Sequence, residues 1–116
     1  MTYHVVSATE VPIGRGPHPA ASPFDRRISD HLGITAFEIY QVELPANGLT
    51  VSHDHIDDQT EDVYAVISGT GWLVVGPDRV PVSPGQFMAV SLDLPRHLEA
   101  GPEGLMVIAV CAEQRT

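Results

Sequence analysis

The chemistry-bearing residues of this chain fall in one short stretch and one later point. His53-Asp54-His55 places two imidazoles at i and i+2, which in a β-strand point to the same side of the sheet. Two same-side imidazoles are the beginning of a metal site, and the acids Glu61 and Asp62 follow within a few residues. A third imidazole, His97, comes directly after Pro95-Arg96. The acidic run from Asp54 to Asp62 would attract a cation. Asp54, Asp57 and Asp58 in it read as a solvated loop, because the spacing and central glycine of a calcium-binding loop are missing. His4, His18 and His31 show no ligand spacing and read as surface or capping histidines.

These residues need strands to position them. Residues 34–44 (ITAFEIYQVEL) alternate apolar with polar side chains, as a half-buried strand does, and Pro45-Ala46-Asn47-Gly48 supplies a turn. Further strands are expected at Tyr3 to Ala8, Leu49 to His55, Asp62 to Ile67, Trp72 to Val75, Val80 to Val82, Phe87 to Leu92 and Leu105 to Ala112. Turns are expected at Ser68 to Gly71, Gly76-Pro77-Asp78, Ser83-Pro84-Gly85, the Pro95-Arg96-His97 corner and Gly101 to Gly104. Glu10 to Ser29, rich in Pro, Gly and Arg, reads as an ordered arm or loop. The expected layout is thus one domain, an N-terminal strand and arm over residues 1–33 and a barrel over 34–116. Short strands at this spacing indicate an all-β sandwich or barrel. Val63 to Ile67 and Met106 to Val110 are apolar on both faces, so their outer faces should be covered by the arm or a second subunit.

The order Gly48-x4-His53-x-His55-x6-Asp62-x6-Gly69, then Pro84 to Phe87 and Pro95-Arg96-His97, resembles the two motifs of the cupin superfamily. Those motifs read approximately G-x5-H-x-H-x3-4-E-x6-G and G-x5-P-x-G-x2-H-x3-N. The phrase DVYAVISGTG is also similar to the hairpin of small single-domain cupins. The resemblance implies a double-stranded β-helix (jelly-roll) barrel holding one divalent transition metal: Fe, Mn, Ni, Co or Zn. Carried over by position, it implies His53, His55, His97 and Asp62 as ligands. The family's acid is Glu; Asp is one methylene shorter, about 1.5 Å of reach. Glu61 is the other acid at hand, but strand parity puts it on the face opposite Asp62. The second motif departs as well: no Pro-x-Gly-x-x-His precedes His97, and Gly101 stands where the trailing Asn would be.

Tyr64, Gln59, Phe87, Met88 and Arg96 are the candidates for a substrate pocket. Arg96 could clamp a substrate carboxylate or be structural. Tyr40 and Trp72 could wall the pocket or simply fill the core. Arg26 and Arg27 read mainly as part of the arm. The expected function is a metal-dependent enzyme acting on a small organic molecule, of dioxygenase, isomerase, cyclase or decarboxylase type. The alternative is a non-catalytic barrel that binds a small ligand or stores metal.

Composition narrows the partners. Six basic residues, all Arg, against fifteen acidic ones give a formal charge of −9, which repels phosphate backbones and anionic lipid. Nucleic acid and membrane are therefore not expected as partners. The start shows no basic-then-apolar leader, and no apolar run is long enough to span a bilayer. A cytoplasmic homodimer with a small-molecule ligand is expected. Cys111, the single cysteine, lies in an apolar strand and reads as a packed thiol.

Overall fold

The structure, a computed structural model, describes residues 3–14 and 24–115 of the chain. Its elements are a 3-10 turn at Ala8–Glu10, β1 (Asp25–Arg27), α1 (Ile28–Leu32), β2 (Glu38–Leu44), β3 (Thr60–Val75), β4 (Asp78–Val82), β5 (Phe87–Ala89) and β6 (Arg96–Glu113). The strands run in the order β1-β2-β6-β3-β4, with β5 on β3, and every pairing is antiparallel. The fold is all-β, as expected.

The centre of the fold is one long pair. β3 and β6 stay in register from Thr60 opposite Glu113 to Val75 opposite Arg96, with irregularities between Val66 and Ser68 and between Gly69 and Gly71. The glycine clusters expected to reverse the chain at Ser68 to Gly71 and Gly101 to Gly104 instead lie inside β3 and β6. They kink two continuous strands, as bulges do. Gly69 has φ 77°, and a Cβ there would meet the Gly104 carbonyl; a Cβ on Gly71 would meet that of Glu99. Only glycine lets the strands approach so closely. Either side of the kink, the two strands serve different neighbours. β2 pairs with Leu105 to Cys111 and β5 with Val63 to Ala65, whereas β4 pairs with Gly71 to Val75.

The expected strand Leu49 to His55 pairs with β6 as two isolated bridges, Leu49 opposite Glu99 and His53 opposite Arg96. The register slips by one residue between them. There the Leu98 N–H donates to the Thr50 hydroxyl, at 2.8 Å, rather than to a main-chain carbonyl. Tyr3 to Ala8 forms no strand; the described arm instead turns at Ala8–Glu10 and bridges Ile13 to Arg26. Arg26 donates to the carbonyls of Ala8 and Val11, so the arm is tied beside β1. α1, which the arm reading did not include, is a single short helix closed by Gly33 in the left-handed region.

Alternation fills the interior with Tyr40, Val42 and Leu44 from β2, Tyr64 and Val66 from β3, and Val107, Ala109 and Cys111 from β6, along with Met88. On the opposite face Val63, Ile67 and Phe87 are 38%, 48% and 75% exposed, so the described arm does not cover them. Among the described residues no helix is long and apolar enough to cross a membrane.

Candidate functional site

His53 sits directly opposite Arg96, and directly opposed residues put their side chains on one face of the sheet. Both side chains point toward Asp62, near the start of β3. His53 Nε2 lies 4.0 Å from Asp62 Oδ2 and Arg96 Nη1 lies 3.3 Å from it. His55 is buried, anchored by its N–H to the Leu92 carbonyl, and its Nε2 is 2.7 Å from the same Oδ2. The two imidazoles meet edge to face, with centroids 4.9 Å apart. Ligand atoms of His53, His55 and Asp62 all fall within 4.8 Å of one another. His53 and His55 lie on one side of the chain, and of the two neighbouring acids Asp62 is buried beside them while Glu61 is exposed.

Asp62 is the hub. Its Oδ2 accepts from the Tyr64 hydroxyl at 3.2 Å as well as from Arg96, whereas its buried Oδ1 has no hydrogen-bond partner. Arg96 is 1% exposed and holds further bonds to main-chain carbonyls, Nε to Leu94 at 3.0 Å and Nη2 to Ser91 at 2.6 Å. Its guanidinium is therefore spent on the protein, and it clamps Asp62 rather than a substrate carboxylate. The buried pair is tolerated because Asp62 Oδ2 gathers contacts from Arg96, Tyr64 and His55 while Arg96 is bonded on several sides.

The surroundings shift the titrations in line with this burial. Burial pushes His53 below the ordinary imidazole value; the neighbouring His55 and Arg96 add to that, while the Val51 carbonyl and Asp62 oppose it. Burial, then the charge of Asp62, raises both the Tyr64 hydroxyl and the Cys111 thiol well above their usual range. Partial burial pushes the Asp58 carboxyl up, but hydrogen bonds from His55 and the Thr60 N–H outweigh it, leaving Asp58 below the usual carboxylate value.

The remaining candidates separate. His97 borders the cavity but lies outside the cluster: its Nε2 is 3.1 Å from Glu99 Oε2. Strand alternation is the reason, because Arg96, Leu98 and Ala100 are the buried residues of this part of β6 and His97 shares the other face with Glu99. Glu99 also pairs with Arg79, whose guanidinium stacks over Trp72 at 3.6 Å. Tyr64 lines the cavity, whereas Met88 is plain core. Phe87 projects outward, and Gln59 closes a turn, its side-chain amide donating to the Ile56 carbonyl at 2.7 Å. Arg27 pairs with Asp30 and Glu38. Asp58, expected as a solvated acid, lies 3.0 Å from His55 Nδ1; its place three residues after a ligand-type histidine was the available signal. That Arg96 holds Asp62 could be read only by knowing that His53 is its partner across the sheet.

A cavity of about 50 Å³, room for an ion or a few waters, is walled by Tyr40, Val42, His53, Asp62, Tyr64 and Cys111. A larger groove of about 720 Å³ shares His53 and Cys111 with it. The donors suit a borderline transition metal: two imidazoles, a carboxylate, and on that carboxylate a buried oxygen with no other partner.

No protein-family model matches the chain, and no curated protein is similar enough in sequence to match. Solved structures do match. A cupin protein from Bacteroides fragilis superposes with a TM-score of 0.76 over 100% of this chain and 88% of its own, at 19% identity. A sugar phosphate isomerase from a cupin superfamily, from Silicibacter pomeroyi, gives 0.73 over 96% and 76%, at 18% identity. KdgF from Halomonas sp. gives 0.65 over 81% and 83%, at 16%. The chain therefore has the cupin fold, an all-β jelly-roll barrel, with a buried His-His-Asp cluster that could hold a metal.

Removing the clamp should be costly. Arg96→Met leaves Asp62 buried without its countercharge, and breaking such a pair costs about 3–5 kcal/mol. Urea unfolding of the variant should show a loss of that order; a loss under about 1 kcal/mol would show that Arg96 does not hold Asp62 in the folded protein.

Proposed function

We propose that this protein is a metal-dependent enzyme acting on a small organic molecule, with one divalent transition metal held by His53, His55 and Asp62. The observation that carries the reading is the buried Asp62 Oδ1, without a partner, beside two imidazoles on the wall of a cavity. Bound there, Fe, Mn, Ni, Co or Zn would polarise a carbonyl or enol, or in the case of Fe activate O2. The chain's own contribution is positioning. Arg96 and Tyr64 fix Asp62 through Oδ2, leaving Oδ1 without a partner, and Asp58 orients the His55 ring through Nδ1, as carboxylate partners of ligating histidines do. Isomerase, dioxygenase, cyclase and decarboxylase chemistry all fit a metal with an open position, and the isomerase from Silicibacter pomeroyi favours the first.

A second reading, a non-catalytic ligand-binding or metal-storing barrel, is favoured by one feature: Arg96 already neutralises Asp62. Metal content and turnover separate the two readings. The purified chain, loaded and desalted, should hold one metal, and the His53→Ala/His55→Ala variant none. Asp62→Ala should bind about ten- to a hundredfold more weakly. A double variant that keeps one metal per chain with unchanged affinity would refute the site; a loaded protein that turns over no enolisable or catechol-like compound would favour the binder.

The protein is further proposed to act as a homodimer in the cytoplasm. Exposed Val63, Ile67 and Phe87 on the outer sheet face support the dimer. Light scattering at micromolar concentration should give twice the chain mass; a stable monomer would contradict it.

A further inference from the structure

The segment that carries the two imidazoles does not run as a regular strand beside β6. Thr50, next to the Leu49–Glu99 bridge, lies opposite Leu98 and donates its N–H to the Leu98 carbonyl at 3.0 Å, whereas His53 lies opposite Arg96. Three residues thus advance on one side against two on the other, which is a β-bulge. Its effect is on faces. In a regular strand, residues three apart point to opposite sides, so Thr50 and His53 would be separated. Leu98 and Arg96, two apart on β6, are both buried. With the extra residue, Thr50 and His53 stand opposite that same buried face, and both line the inner cavity.

The bulge also commits the Thr50 hydroxyl. A hydroxyl has one proton and two lone pairs, and here one lone pair receives the Leu98 N–H at 2.8 Å, which fixes the oxygen in place. The proton has no acceptor among the described residues. The other two hydroxyls of the cavity wall are spent, Tyr64 donating to Asp62 and Tyr40 to Glu38. Val42, Leu98 and Ala109 make the same wall apolar. An oxygen entering the cavity would therefore gain a hydrogen bond from Thr50 with no internal bond given up in exchange. Three residues of extended chain separate Thr50 from His53, at most about 10 Å, a distance that one small molecule bridges.

We infer that Thr50 is the substrate-binding donor of this site, its hydroxyl hydrogen-bonding a carbonyl or enol oxygen of a small molecule that lies in the cavity between Thr50 and the His53–His55–Asp62 cluster. The inference rests on the proposed function, since it names the chain's own contact with the substrate of that site. Where negative charge develops on the bound oxygen, a donor already fixed by the Leu98 N–H stabilises it without reorganising. Thr50 keeps its proton throughout.

The test is an NMR titration of the full chain, chelated and zinc-loaded, with acetone and with isobutene, which share a shape and differ in the carbonyl oxygen. Acetone should shift the Thr50 and Leu98 amides saturably. Thr50→Val keeps the side-chain shape and removes the hydroxyl; it should weaken acetone about threefold or more, the yield of one neutral hydrogen bond, and leave isobutene unchanged. Thr50→Val also unpairs the Leu98 N–H, but both probes would feel that alike. Thr50→Ser, which keeps the donor, should bind acetone as the wild type does. Acetone labelled at its carbonyl carbon should in addition move downfield on binding to the chelated wild-type chain, as a carbonyl that accepts a hydrogen bond does, and this reads the donor even if Thr50→Val does not fold. Unchanged acetone binding in Thr50→Val, equal weakening of acetone and isobutene, no saturable acetone shift, or a carbonyl signal that does not move downfield would each overturn the inference. Failure to load zinc would count against the metal site, while the contrast between acetone and isobutene on chelated protein decides the role of Thr50 by itself.

Discussion

A carboxylate removed from water must be met by hydrogen bonds and countercharge, and Asp62 shows how this fold supplies both. Its Oδ2 faces Arg96, His55 and Tyr64 at once, so three side chains from separate parts of the chain converge on one oxygen. The Arg96 guanidinium also fixes the carbonyls of Ser91 and Leu94, so the loop before β6 is set by the same residue. One ion pair thereby orders the loop, the hub carboxylate and the histidines beside it.

Topology explains how that convergence arises. Asp62 lies opposite Cys111 at one end of the β3–β6 pair, and Arg96 lies opposite Val75 at the other, yet Arg96 and Asp62 touch. The contact is possible because the glycine kinks fold the long pair back over its own interior, so residues remote along the ladder face each other across the core. Gly69 and Gly71, with no chemistry of their own, therefore help build the site. The Asp62–Arg96 contact in turn joins the two halves of the barrel.

Patterns local to one strand were legible in the sequence. The alternation before Leu44, the same-side geometry of His53 and His55, and the burial of Asp62 against the exposure of Glu61 follow from a period of two. Features that depend on which strand pairs with which were not. Gly-rich segments read as turns because a bulge and a reversal use the same residues, so β3 and β6 each looked like two strands. Motif position groups His97 with the ligands; in the fold it borders the cavity with its Nε2 on Glu99, and the buried place beside Asp62 goes to Arg96. Phe87 and Gln59 failed as pocket residues for the same reason: type and proximity in sequence do not fix the face. A strand at Tyr3 to Ala8 is suggested by local propensity alone, and among the described residues no strand pairs with it.

X-ray absorption on the metal-loaded chain tests the central claim most directly, that two imidazoles and the Asp62 carboxylate share one ion. With zinc, the account predicts nearest neighbours at about 2.0–2.2 Å and outer scattering characteristic of two histidine rings, lost in the His53→Ala/His55→Ala variant. A spectrum with oxygen neighbours only and no imidazole signature would contradict it, and would assign the ion to carboxylates alone.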